Sequence, residues 1–342
     1  MVPPHIQLAS STFRKVIKRL HYPLEVMLLC VRWYAAYPLS LRNLEEMMAE
    51  RGVIVDHATV HRWSLKILPV LAKVFRSRKR SVGSSWRMDE TGSVAVARIG
   101  YVGRMTETPT KTMNDALSKV VKRLHHPLEV MLQCVRWYAA YPLSLRNLEE
   151  MMAERGVAVD HTTVHRWAVK MLPVLALMLR RRKRPVGLSW RMDETYVKVA
   201  GQWKYLYCAV DKAGQTIDFL LRAHRDYAAA RCFFERAIDL HGVPEKITID
   251  KSGANTAAIQ GMRADSGADI EMRQSKYLNN LIEQDHRAVK RLTRPMLGFR
   301  NFRCARALIA GIETMHMIKK GQLDAIKDRA SSSADQFYSL AF

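Results

Sequence analysis

Apolar and polar positions follow two textures along the 342 residues. Up to about residue 185 the apolar side chains come in helix-like groups bounded by proline, glycine and capping residues. Pro127 opens PLEVMLQCVRWYA, an apolar-rich helix that Pro142 breaks. Ser144 is placed to cap LRNLEEMMAE, and Gly156 to terminate it. Asp160 caps HTTVHRWAVKM, which extends with a kink at Pro173 into LALMLRRRKR. A short helix, a glycine-containing turn and a capped following helix form the helix-turn-helix pattern. At Trp190 the texture changes. Residues 190–199, 203–210 and 215–223 read as strands, joined tightly at Gly201 and at DKAG, so they should form an antiparallel meander. Asp226 caps a helix that ends at Gly242. KITID at 246–250 is a short buried strand, followed by the SGAN loop and a helix to about Arg263. IEMRQ at 270–274 is a fifth strand, a helix runs from about Asn280 to Leu292, and FRCARALIAGIETMHMIKK is the last firm helix, ending at Gly321.

The helical texture occurs twice. Residues 15–91 and 119–195 align at a constant offset of 104, with 63 identities in 77 positions, and both copies end on WRMDET. After Thr91 the first copy breaks off into GSVAVARIG, whereas after Thr195 the second continues into the meander. A solenoid needs three or more stacked units, so two copies, one cut off in mid-strand, indicate a duplicated segment. The expected divisions are a duplicated partial copy at 1–91, a junction at 92–118, a helix-turn-helix domain at 119–185, a catalytic domain at 186–321 and a loosely ordered tail at 322–342.

Charge narrows the function. There are 55 Lys and Arg against 32 Asp and Glu, a formal net charge of +23, and the excess is spread over both halves. Such a surface calls for a polyanion, of which nucleic acid is the commonest. The third helix of the second copy would present His161, Thr162, Thr163, His165 and Arg166 to base edges, while Val164, Trp167 and Val169 pack inward. Arg181, Arg182, Lys183 and Arg184 of the adjoining basic run would meet phosphates. The first copy repeats the pattern at Asp56–Trp63, with Ala58 in place of Thr162. Five separate cysteines form no CxxC pair, which gives neither a zinc knuckle nor a disulfide framework and fits a reducing cytoplasm. No signal peptide and no membrane span are expected.

The strand region carries the chemistry. Asp193 lies on the first strand, Asp250 closes the fourth, and Glu283 sits near the start of the late helix. If the first and fourth strands pair, Asp193 and Asp250 become neighbours, and Glu283 can come over them. Carboxylates crowded on one spot repel unless a cation neutralises them, and hard oxygens suit Mg²⁺ or Mn²⁺. Two such ions about 4 Å apart can activate an attacking oxygen and stabilise a leaving one at a phosphodiester. Strand alternation turns Glu194 away from Asp193, so only one of the two is expected in the cluster. Asp285 lies about 200° around the helix from Glu283. His286, one turn on, either orients an acid or lies on the helix surface; Asn279 and Asn280 either cap the helix or contact DNA. Trp190 and Trp203 are expected in the core.

WRMDETYVKVAGQWKYLYCAVDKAG, ITIDKSGAN and KYLNNLIEQDHRAVKRLTRPMLGFRNF together resemble bacterial insertion-sequence transposases of the DDE type, and more narrowly the small IS-six family. The resemblance covers about residues 105–321, and Met105 would be a natural start for a member of ordinary length. It implies an α+β chain: a helical helix-turn-helix region, here present twice, followed by an RNase H-like, retroviral-integrase-like catalytic domain. It also implies recognition of terminal inverted repeats, Mg²⁺-dependent 3′-end cleavage and strand transfer into target DNA, at least a homodimer on DNA, and a nucleoid-associated place in a bacterial cytoplasm. Asp193, Asp250 and Glu283 would be the metal-binding triad, holding two ions of Mg²⁺ or Mn²⁺. The family's basic residue seven positions past the glutamate falls on Lys290, two helical turns on and on the same face, where it would hold a DNA phosphate. Asp89 in the first copy is expected to be silent, because no second Asp250 or Glu283 completes its site. Two other readings stand beside this one: a catalytically inactive DNA-binding protein that represses its own ends, and a nuclease of the same fold that cuts RNA–DNA hybrid.

Overall fold

The computed structural model describes residues 22–78, 115–122, 124–275, 280–323 and 332–341. Asp89, Asn279 and the Trp86–Thr91 segment lie outside the described residues. The chain divides into two compact units, one of Met1–Glu107 with Glu150–Ala158, the other of Thr108–Glu149 with Val159–Phe342.

The described residues of the first unit include the helices α1 (Leu24–Ala36), α2 (Leu41–Ala49) and α3 (His57–Arg78). Ser40 caps α2 in a reciprocal box with Asn43, which satisfies two otherwise orphaned backbone donors. Val31, Trp33, Leu44, Met47, Val60, Trp63 and Ile67 are almost wholly buried. Segment Glu150–Ala158 packs with them through charge as well as apolar area. Arg32, only 4% exposed, donates to Glu150 Oε1 at 2.7 Å and pairs with Glu154. Glu154 also accepts from Trp33 Nε1 at 3.1 Å and Tyr37 Oη at 3.4 Å.

The second unit begins with α4 (Asp115–Val121), so the expected junction is helical over its last residues. Helix α5 (Leu128–Ala140) follows Pro127, which stands at the N-cap and not inside the first turn. Helix α6 (Leu145–Ala153) starts on the Ser144–Asn147 box, and α7 (His161–Arg181) starts where Asp160 accepts from the Thr162 amide. Pro173 lies inside α7, which remains one helix.

The sheet has the order β3-β2-β1-β4-β5. Strands β1 (Ser189–Val199), β2 (Gln202–Asp211) and β3 (Thr216–Arg222) form the expected antiparallel meander. The first turn is tight because both Ala200 and Gly201 take positive φ, the geometry that matches strand twist in a two-residue hairpin. Strands β4 (Lys246–Ile249) and β5 (Glu271–Gln274) add in parallel beside β1, with Trp190 opposite Ile247. Helices α8 (Tyr227–His241) and α9 (Gly253–Ser266) cover one face. Trp190, Met192, Tyr207, Phe233, Phe234, Ile247 and Ile259 fill the core between them. Helices α10 (Asn280–Thr293) and α11 (Phe302–Lys319) complete the unit. This is the α+β architecture expected, with three antiparallel strands and two parallel ones in one sheet.

Helix α7 packs on α11 within this unit. A Cβ added at Gly311 would lie 2.6 Å from Leu172 Cδ1, so glycine permits the close approach. Two further expectations are corrected. Trp203 is 64% exposed, because it stands beside the Gly201 turn at the hairpin end, past the helix-covered core. Residues 332–341 of the expected loose tail dock: α12 (Ser333–Tyr338) is capped by Ser332, buries Ala334 and Phe337, and is tied down by Arg182, which donates to the Ser339 carbonyl at 2.9 Å. Apolar residues at helical spacing and a capping box explain why it docks. No helix among the described residues is long and apolar enough to cross a membrane.

Candidate active site

Parallel pairing of β1 with β4 decides where the acids meet. The register Ser189–Lys246, Trp190–Ile247 and Arg191–Thr248 carries Asp193 and Asp250 toward the same end of the sheet. Their carboxylates, with that of Glu194, offer oxygens within 4.8 Å of one another. Asp193 belongs to a second group of the same span with Glu283 and His286. Asp193 is thus the shared member, with Asp250 in one group and Glu283, in the first turn of α10, in the other.

Burial and like charge act together here. Burial pushes the Asp193 carboxyl up to about 6, and Glu194, Asp250 and Glu283 add to the rise, although the Glu194 amide donates to Asp193 Oδ1 at 2.9 Å. Burial also raises Glu194. A site that holds its acids against their ordinary ionisation favours a bound cation, and an all-oxygen donor set suits a hard divalent ion. His286 is 2% exposed and burial pulls its pKa down to about 4. Its Nδ1 lies 4.0 Å from Glu283 Oε1, so it is a buried neutral neighbour of the acid and not a helix-surface residue.

Three residues of the site were missed or misjudged from sequence. Glu194 was expected to be turned away. Its backbone does alternate, and Asn255 on the α9 side donates to its Oε1 at 2.9 Å. Alternation sets the direction of Cβ, however, and not where a longer side chain ends, so its carboxylate still reaches the Asp193–Asp250 pair. Arg225, just before α8, bridges Glu194 Oε2 and Asp250 Oδ2, both at 3.2 Å. Asn255 lies in the ITIDKSGAN stretch that carried the resemblance. Nothing local marks Arg225, since only the chain reversal after β3 brings it to the acids. Asp285 points elsewhere, as expected: it is buried and held by Lys320 and His316, both at 2.8 Å.

The expected DNA-contacting residues divide. Thr162, Arg166, Arg181, Arg184 and Lys290 are exposed. Thr163 is half-buried and accepts from Arg166 at 2.9 Å. His161 is half-buried with its Nδ1 2.9 Å from Glu149, and His165 is half-buried with its pKa drawn down by burial and Arg300. Lys183 is a correction. It is half-buried, its ammonium donates to the Ile217 carbonyl at 2.8 Å, and burial draws its pKa down to about 8, so it is engaged with β3. Arg182 is likewise committed to the tail. Both residues lie past the end of α7 at Arg181, where Lys183 bridges to Leu323, so the chain path after the helix turns them inward.

A family profile described as a DDE domain matches residues 187–322, the stretch from β1 to the end of α11. The transposase for insertion sequence-like element IS431mec of Staphylococcus aureus strain Mu50 is 37% identical over 197 residues, which cover 56% of this chain and 85% of that protein. The transposase for insertion sequence element IS257 in transposon Tn4003, also from Staphylococcus aureus, matches with the same figures. Among solved structures, the HTLV-2 integrase catalytic core domain in complex with magnesium is 18% identical, with a TM-score of 0.33 over 47% of this chain and all of that one. The BIV integrase catalytic core domain is 16% identical, with a TM-score of 0.32 over 45% of this chain and 93% of that one. Identity at this level across most of a whole transposase shows that the chain belongs to the IS-six family of DDE-type insertion-sequence transposases.

Proposed function

We propose that the protein binds the terminal inverted repeats of an insertion sequence, cleaves the 3′ end and transfers that strand into target DNA. The observation that carries this reading is the convergence of Asp193, Asp250 and Glu283 from a central strand, its parallel neighbour and a late helix. These three residues would hold Mg²⁺ or Mn²⁺, as one or two ions, and the Glu194 carboxylate is near enough to share the load. The cation supplies neutralisation of charge at the attacked phosphodiester and at the leaving oxygen.

The chain's own residues do the rest. Arg225 keeps Glu194 and Asp250 close by opposing their charge. His286, buried and neutral, limits the freedom of Glu283. Lys290, exposed two turns along α10 from Glu283, takes a DNA phosphate and sets the backbone in line. Thr162 and Arg166 on the exposed start of α7 read the repeat, and Arg181 and Arg184 hold its phosphates. No serine or tyrosine nucleophile is required, because the freed 3′-OH is itself the next nucleophile. Strand exchange between two ends calls for at least a homodimer on DNA.

The test is a strand-transfer assay with the full-length protein, Mg²⁺ and DNA bearing the element's ends. Joined product from the unmodified protein and none from Asp250→Ala supports the proposal. DNA binding without product from the unmodified protein would instead establish the inactive, repressor-like reading.

A further inference from the structure

The acids Glu150 and Glu154 accept all of their described bonds from one short stretch: Arg32, Trp33 and Tyr37. Arg32 and Glu154 are almost fully buried, and burial raises the Glu154 carboxyl, so each group depends on the other for its charge. This is a specific interlock of guanidinium, indole N–H and phenol with two carboxylates.

Both halves of that interlock occur in each copy. Residues 32–53 and 136–157 are the same 22 residues, RWYAAYPLSLRNLEEMMAERGV. Arg136, Trp137 and Tyr141 therefore repeat the donor set, and Glu46 and Glu50 repeat the acceptor set. A surface that bears donors and their matching acceptors together is self-complementary, which is the condition for a two-fold interface. The IS431mec relative is about 232 residues long, since 197 residues are 85% of it, so a chain of that length has no room for a second 104-residue copy.

We infer that the Arg-Trp-Tyr and Glu-Glu surface is a self-pairing interface, filled in this chain by its own first copy. In a one-copy chain the donors for Glu150 and Glu154 come from a second molecule. The duplicated segment is thus a tethered partner: linkage makes the pairing intramolecular and raises the effective concentration of the donor set. This does not rest on the proposed chemistry, because no residue of the acid cluster takes part.

The test begins with thermal melts of the full chain. Arg32→Glu and Glu154→Arg should each lower Tm, and the double variant should recover at least half of the loss. Residues 105–342, the length of the one-copy relatives, are then examined by sedimentation equilibrium. The expected result is a dimer that Glu154→Arg weakens by roughly 30-fold or more. Arg136→Glu combined with Glu154→Arg should restore it, which a merely misfolded variant cannot do. A monomeric 105–342, one without a cooperative melt, or a dimer indifferent to Glu154→Arg would overturn the proposal.

Discussion

Replacing Asp193 by asparagine should stabilise the metal-free protein while ending its activity. The folded carboxyl titrates near 6 against an ordinary 3.8, so it binds a proton more readily than in the unfolded chain. For an acid raised in this way, the cost to folding is absent below about pH 3.8, grows through pH 6 and is complete above it. The difference of 2.2 pH units corresponds to about 3 kcal/mol at full strength, and partial solvent access reduces that to roughly 1–2 kcal/mol. Asparagine keeps the shape and can still accept from the Glu194 amide, so little is lost in exchange. Melts in EDTA at pH 8 should place Asp193→Asn roughly 2–6 °C above the unmodified protein, and at pH 4 the two should nearly coincide. Adding Mg²⁺ at ten times its Kd should raise only the unmodified protein, by about 1.4 kcal/mol. A variant less stable than the parent at pH 8 in EDTA, or one that gains as much from Mg²⁺, would refute this account of the site.

The remaining predictions concern packing and DNA. Gly311→Ala should destabilise the protein by about 1–3 kcal/mol, because its methyl would strike Leu172, and Leu172→Ala in the same chain should recover part of the loss in a denaturant titration. Arg180→Ala leaves Asp218 and Glu313 buried with less opposing charge and should cost roughly 3–5 kcal/mol by the same measure. Arg181→Ala should shallow the salt dependence of DNA affinity by about one unit of slope, whereas Lys183→Ala should lower Tm and leave that slope unchanged. Asp89→Ala should leave strand transfer at the parental rate; a loss as deep as that of Asp193→Ala would show that the first copy's WRMDET segment takes part.

Much of the fold was legible because its signals are local. Ser144, Asp160 and Asp226 cap the helices they were expected to cap, and Gly201 turns the hairpin it was expected to turn. Alternation and short β-rich runs marked all five strands to within a residue or two. Asp193, Asp250 and Glu283 were singled out by the family resemblance together with the order of elements, and the structure brings oxygens of Asp250 and of Glu283 to Asp193. Lys183, Arg182 and Trp203 were not legible, because a basic run or an aromatic strand residue has the same local pattern whether it faces a neighbour or the solvent.

By itself the sequence determined the repeat and the order of elements, since capping, turn chemistry and periodicity act within a few residues; the three acids came from the resemblance laid over that order. Tertiary structure decided what required distant segments to meet. Pairing of β1 with β4 set Asp193 beside Asp250, and the reversal before α8 delivered Arg225 to them. Glu194 reached the cluster because the length of its side chain counted for more than the alternation of its backbone. Arg32 found Glu154 across 122 positions, a contact that no local pattern encodes because both copies carry the same residues and only packing selects which pair.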